Sequence, residues 1–283
     1  MKNSRKALVL AGGGITGIGW ELGVLIGLAE LGLDLSDADV VIGTSAGSVV
    51  GAQLTSGVPL KELYAEQLRE ATGEIAAKLG PAFLFKFVLA SVLPGGDQKA
   101  RARLGKLALA ANTVPESERR AVIDQRLPQH EWPDRQLLIT AVEATTGEFS
   151  VFDRDSGVPL VDAVAASCAV PMVWPPMTID GHRYIDGGAR SGANADLATG
   201  CGRVVVLTPM TTALRRSGRI SEQLATLGPK VHSAVVSPDE DARKAMGRNV
   251  LDPAFRAASA KAGRAQAAAV RDRVAVVWGH PPA

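Results

Sequence analysis

Ser45 stands in Gly43-Thr44-Ser45-Ala46-Gly47, directly after the apolar β-branched run Val40-Val41-Ile42. A serine hydroxyl attacks a carbonyl only when its proton is taken and the resulting oxyanion is held. A Gly-x-Ser-x-Gly turn between a strand and a helix suits that chemistry. It exposes the serine on a sharp bend, and its glycines let the backbone close without a Cβ clash. The serine then sits at a helix N-terminus, where amides and dipole favour developing negative charge. Two more pieces have matching chemistry. Gly12-Gly13-Gly14-Ile15-Thr16-Gly17 follows a short apolar run, and the N–H groups of Gly13 and Gly14 can turn toward an oxyanion. Asp186 follows a strand-like segment and precedes Gly187-Gly188, which keep its surroundings open.

These pieces need a scaffold that brings distant loops together. Residues 6–11 read as a first buried strand, and 17–31 as a helix with Trp20, Val24, Leu28 and Leu31 at helical spacing. Residues 39–43 form a second strand, followed by the Ser45 turn and a helix to about residue 56. This order predicts an α/β fold: one mostly parallel central sheet with helices on both faces. In such sheets the loops at the carboxyl ends of the strands share one crevice. Residues 59–130 turn helical, with an amphipathic 61–71 and an apolar 81–93, and read as a cap inserted into a core of 6–208. Residues 136–144 and 148–152 make a hairpin, 158–169 a helix, and 178–185 a hairpin around Asp180-Gly181. Residues 203–207 are a strand and 238–270 mostly helix, and 274–278 close the chain as a last strand. The whole reads as one domain.

Composition removes several function classes. Of 283 residues, 46% are hydrophobic and 21% charged, with a net charge of +2. No basic stripe with interleaved aromatics suggests nucleic acid. Two cysteines, Cys168 and Cys201, make neither a disulfide framework nor a cysteine zinc site, and no other metal spacing appears. The apolar run at 7–11 is too short for a signal peptide, and 82–93 is too short to span a bilayer. The expectation is a cytoplasmic protein without metal or cofactor, able to meet a membrane from its periphery.

Two catalytic rivals fit less well. Gly12-x-Gly14-x-x-Gly17 matches a dinucleotide fingerprint, but the end of the second strand carries Gly43-Thr44-Ser45 where a ribose-binding acid belongs. An ordinary α/β-hydrolase needs serine, acid and histidine in that order. His232 and His280 do follow Asp186, yet Ser45 comes after only the second strand and no His-Gly-Gly-Gly loop is present. His182 reads as an exposed strand residue.

The early Gly-Gly-Gly-x-x-Gly, Gly43-Thr44-Ser45-Ala46-Gly47 and Asp186-Gly187-Gly188 together resemble the patatin-like phospholipase family in its bacterial form. Ala166-Ser167-Cys168-Ala169-Val170-Pro171 is similar to that family's Ser-x-Ala-x-Pro stretch. The resemblance covers about 6–207 and weakens over the cap and the C-terminal helices. It implies a Ser45–Asp186 dyad, an oxyanion hole from Gly12, Gly13, Gly14 and Ala46, and structural roles for Gly17, Gly43, Gly47, Gly187 and Gly188. It also implies lipid acyl-ester hydrolysis. Burial would raise Asp186 from a carboxylate's usual pKa of about 3.9 and suit it to take the serine proton. Thr16 departs from the family, which often has Arg or Lys there. The contrasting class is a lipid-binding protein that keeps the pocket without turnover.

In the cap, 81–93 holds Phe83, Phe85 and Phe87, and reads either as a core helix or as a lid and acyl-chain wall that meets lipid. Arg215, Arg216 and Arg219 read as a solvated surface cluster. Trp20 and Trp174 read as core or pocket lining, and Cys168 as a small packed residue.

Overall fold

In a computed structural model, residues 5–70, 77 and 80–280 are described. The basic start at 1–4 and the expected helix end at 71 lie outside them. The core opens with β1 (Lys6–Leu10), α1 (Gly14–Glu30), β2 (Val40–Gly43) and α2 (Ala46–Leu54). The helical stretch follows as α3 (Leu60–Gln67), α4 (Pro81–Val92), α5 (Gly96–Leu109) and α6 (Glu116–Arg126). Then come β3 (Gln136–Glu143), β4 (Phe149–Phe152), α7 (Leu160–Ser167), β5 (Met177–Ile179) and β6 (His182–Asp186). The chain ends with β7 (Arg203–Leu207), α8 (Ile220–Thr226), β8 (His232–Val236), α9 (Glu240–Met246) and α10 (Arg256–Trp278). Among the described residues, no helix is long and apolar enough to cross a membrane.

Among the described residues, eight strands join one mixed sheet in the order β5-β6-β3-β2-β1-β7-β8, with β4 also on β3. β3, β2, β1, β7 and β8 run parallel, and β4, β5 and β6 add antiparallel pairings. The register explains how distant residues meet. β2 pairs with β3 until Gly43 faces Ile139, while β4 already faces Ile139 from the other edge. β6 pairs with Ala141 through Glu143, where β4 again holds the far edge at Ala141 and Val142. β2 and β6 therefore share one edge of β3, end to end. The turn after Gly43 and the carboxylate of Asp186, opposite Ala141, emerge side by side.

Helices cover both faces of the sheet through two large apolar clusters. α1 lies against α10 at a distance only glycine permits: a Cβ on Gly23 would strike the Ala260 backbone, and one on Gly263 the Trp20 backbone. The helices of 59–130 do not form one separate body. α3 packs beside α1 through Tyr64 and Ile26, α5 sits on β3 and β6 through Leu104 and Ala108, and Ile123 of α6 joins the main core.

Two elements differ from expectation. Residues 274–278 are the last turns of α10 rather than a strand, since Val274, Ala275 and Trp278 continue the buried face of Ala267 and Val270. The outermost parallel strand is instead β8, which the sequence pattern left unassigned. The expected helix face of α1 holds at Trp20, Val24 and Leu28, but Leu31 lies just past the helix end and is exposed.

Candidate active site

Ser45 occupies the bend between β2 and α2 with φ 52° and ψ −117°, a conformation non-glycine residues rarely hold. Neighbours on every side hold it there. Its N–H donates to Ser167 Oγ at 2.9 Å, and its carbonyl accepts from Ser48 Oγ at 2.6 Å and Cys168 Sγ at 3.3 Å. Cys168 is thus a buried brace of the bend. Gly47 is required by close approach, because a Cβ there would overlap the Leu10 carbonyl; a Cβ on Gly43 would likewise strike the backbone of Ser48 and Gly47.

Asp186 ends β6 and is 5% exposed. Its N–H donates to the Ala169 carbonyl at 2.9 Å, and its Oδ1 accepts from Gly188 N–H at 2.7 Å. Burial pushes its pKa up to about 6, opposed by hydrogen bonds from the Ser45 hydroxyl and the Gly188 amide and then by the charge of Arg119. A buried network sits beneath both residues. Thr44 and Thr140 hydroxyls meet at 2.8 Å, and Asn194 Nδ2 donates to Thr44 Oγ1 at 3.0 Å. A Cβ on Gly187 would strike Thr140.

The glycine loop runs past Ser45 at the end of β1. Gly12 differs from its expected part, because its amide donates to the Gly192 carbonyl at 2.8 Å and so holds the loop in place. Among the described residues, no backbone carbonyl takes the amides of Gly13, Gly14 or Ala46. Gly14 and Ala46 open α1 and α2, whose first-turn amides have no acceptor within the helix. Pro209, after β7, leaves no room for a Cβ on Gly13, and Gly17 also lies against it. Thr16, buried, donates its N–H to the Val250 carbonyl at 3.2 Å, and that carbonyl would also block a Cβ on Gly14.

One cavity of about 300 Å³ is lined by Ser45, Asp186, Gly12, Gly13 and Gly14 together with Gly188. Its walls are largely apolar, including Phe83 and Phe87 of α4, Leu104, Val170, Met210 and Leu214. Among the described residues that line it there is no histidine. His182 and His232 are exposed on β6 and β8.

α4 divides its apolar residues between two sides. Phe83 and Phe87 stack at 5.7 Å and line the cavity, and Ala90 is buried on α5. Phe85, Val88, Leu89 and Val92 face outward, with Phe85 69% exposed. The helix is a wall of the cavity with one bare side, not a core helix.

Three residues were not legible in the sequence. Arg119 of α6 is buried, stacks over Trp174 at 4.1 Å and lines a small second pocket beside Ser45. Arg101 of α5 and Arg215 line the main cavity. Arg215 is therefore no solvated surface residue: it donates to the Ser91 carbonyl and bonds Asp97 at 2.9 Å. Trp20, by contrast, is wholly in the core, where its Nε1 donates to Gln266.

The fold and site define an α/β protein with a strained serine at the end of one parallel strand and a buried aspartate beside it. The Patatin-like phospholipase family model matches residues 8–199. The chain belongs to that family. A search of curated proteins finds no match. Among solved structures, VipD from Legionella pneumophila aligns over 96% of this chain and 67% of its own, at 14% identity and a TM-score of 0.47. The type III effector protein ExoU aligns over 95% of this chain and 53% of its own, at 17% identity and a TM-score of 0.43. The chain thus spans about two thirds of the first and about half of the second.

Proposed function

We propose that this chain hydrolyses fatty-acyl esters with Ser45 as nucleophile and Asp186 as its base. The observation that carries this reading is the single apolar cavity lined by both residues and by the glycine loop. Asp186, with its pKa pushed up to about 6, is ionised at neutral pH yet more basic than an ordinary aspartate. It takes the Ser45 proton as Oγ attacks the ester carbonyl. The tetrahedral oxyanion is held by the amides of Gly13, Gly14 and Ala46, each such donor contributing ~3 kcal/mol at the transition state. Collapse expels the alcohol, which receives the proton from Asp186. Water, deprotonated by the same carboxylate, then attacks the acyl carbon; the bond to Ser45 Oγ breaks, Asp186 returns the proton to Oγ, and the fatty acid leaves. The acyl chain lies along Phe83, Phe87 and Leu104, and the outward side of α4 meets the lipid surface that presents the ester.

A fluorophosphonate probe tests the reading. The expected result is a single adduct on Ser45, absent from Ser45→Ala. A folded wild-type protein that takes up no probe would contradict it and favour a binding protein without turnover.

A further inference from the structure

Resting on that reading, we propose that Arg119 of α6 is a cationic member of the oxyanion hole, placed to hold the negative charge that forms on the ester oxygen at Ser45. The small second cavity beside Ser45, of about 30 Å³, is lined by Gly14, Ser45 and Ala46 together with Arg119, Cys168 and Trp174. Gly14 and Ala46 carry amides that open α1 and α2, so this cavity adjoins the oxyanion position itself. Its volume admits a water-sized group and nothing larger. A guanidinium edge and an oxyanion can therefore meet across it directly or through one water.

Neither the glycine loop at 12–17 nor the turn at 43–47 carries a basic residue, so a full positive charge at the oxyanion has to come from another element. Arg119 is buried, and its guanidinium lies over Trp174 at 4.1 Å, which fixes its plane and turns its N–H edges away from the ring. Arg126, also on α6, borders the same cavity but is only half-buried. Two neighbours locate the charge. Burial raises the Cys168 thiol, and Arg119 is the leading charge acting on it, ahead of Asp186 and Arg126. Burial also raises Asp186, and there Arg119 opposes the rise only after the hydrogen bonds from Ser45 and Gly188. Asp186 is not among the residues that line the small cavity. The cation thus sits on the oxyanion side of Ser45 rather than on the side of the base. That asymmetry matters because negative charge moves during attack. It leaves Asp186, which takes the serine proton, and appears on the ester oxygen. A cation equally close to both places would stabilise ground state and transition state alike; one nearer the oxyanion lowers the barrier.

The test pairs a dissolved p-nitrophenyl ester with a trifluoromethyl ketone of the same chain length. Ser45 Oγ adds to the ketone carbonyl, its proton passes to Asp186 and no group leaves, so the adduct keeps its oxyanion and its affinity reports on the hole. Arg119→Gln should lower kcat about tenfold or more with KM within about twofold, and should weaken the ketone by the same factor. Arg119→Lys should recover part of both. The inflection of fluorophosphonate labelling should also move up from about 6 in Arg119→Gln, because a charge that favours ionised Asp186 is gone. A purely structural part for the arginine predicts no such shift. A loss confined to KM, an inflection that stays in place, or Arg119→Gln matching Arg119→Lys on the ketone overturns the proposal. Should Arg119→Gln fail to fold, Arg119→Lys decides alone: its kcat and ketone affinity should fall together, and a fall in kcat without one in ketone affinity overturns the proposal. Wild-type protein that neither turns over the ester nor forms the adduct would sink the hydrolase reading and this proposal with it. An adduct as tight in Arg119→Gln as in wild type would sink the part of Arg119 alone.

Discussion

Asp186 is placed against its own ionisation. Its folded pKa of about 6 lies above the ordinary 3.8, so the native chain keeps a proton that the unfolded chain releases between about pH 4 and 6. Stability therefore falls as pH rises through that window, by about 3 kcal/mol for a shift of this size. Asp186→Asn keeps the shape and an acceptor for Gly188 N–H but carries no charge. Its unfolding midpoint at pH 8 should exceed wild type's, with the gap closing toward pH 4. A variant less stable than wild type at pH 8, with no dependence on pH, would show that burial is not the dominant influence on this carboxyl. Ser45 and Asp186 were legible in the sequence because each sits in a local pattern with a backbone reason: glycines that must be glycine, at a bend that must be tight. Arg101, Arg119 and the real place of Arg215 were not. Their meaning depends on Gly147, Trp174 and Asp97, partners that only folding brings near.

Among the elements, α4 couples the site to its surroundings. Its C-terminal carbonyls are tied by two arginines: Arg103 reaches Ala90, Leu93 and Pro94, and Arg215 reaches Ser91 and Leu93. The helix is thus anchored at the end near Arg101, with Phe83 and Phe87 toward the cavity and Phe85 and Leu89 outward. Replacing Phe85 and Leu89 by serine should lower the rate on esters in phospholipid vesicles several-fold relative to the rate on a dissolved short-chain ester. Equal loss on both would mean that this face supports the fold and does not meet lipid. The sequence pattern found α4, the elbow and both hairpins, because their periodicity or turn residues are strong. It misread 274–278, where Val-Ala-Val-Val-Trp looks like a strand when taken alone. These residues extend an alanine-rich helix whose small side chains give little contrast between faces, and Gly279 in the left-handed region ends it. β8 was missed for the opposite reason: five residues at a sheet edge, partly exposed, have too short a pattern to register.

At the scale of the molecule, Ser45 and Asp186 come together because one strand serves two partners in turn. β3 gives the same edge first to β2 and then to β6, so residues 141 positions apart in the chain end as neighbours. The parallel strands β1 and β7 bring the glycine loop and Pro209 to the same end of the sheet, and the helical insertion roofs the space. The α/β class and the parallel core were readable from element order. The β2–β6 succession was not, since register across a sheet leaves no mark in either strand alone. The measurement that tests the whole arrangement is the pH dependence of the second-order rate of fluorophosphonate modification at Ser45. Wild type should rise through one inflection near pH 6 to a plateau, and Asp186→Asn should react far more slowly at pH 8 with that inflection gone. An Asp186→Asn protein modified at the wild-type rate, with the same inflection, would mean that another group activates Ser45 and would contradict the account.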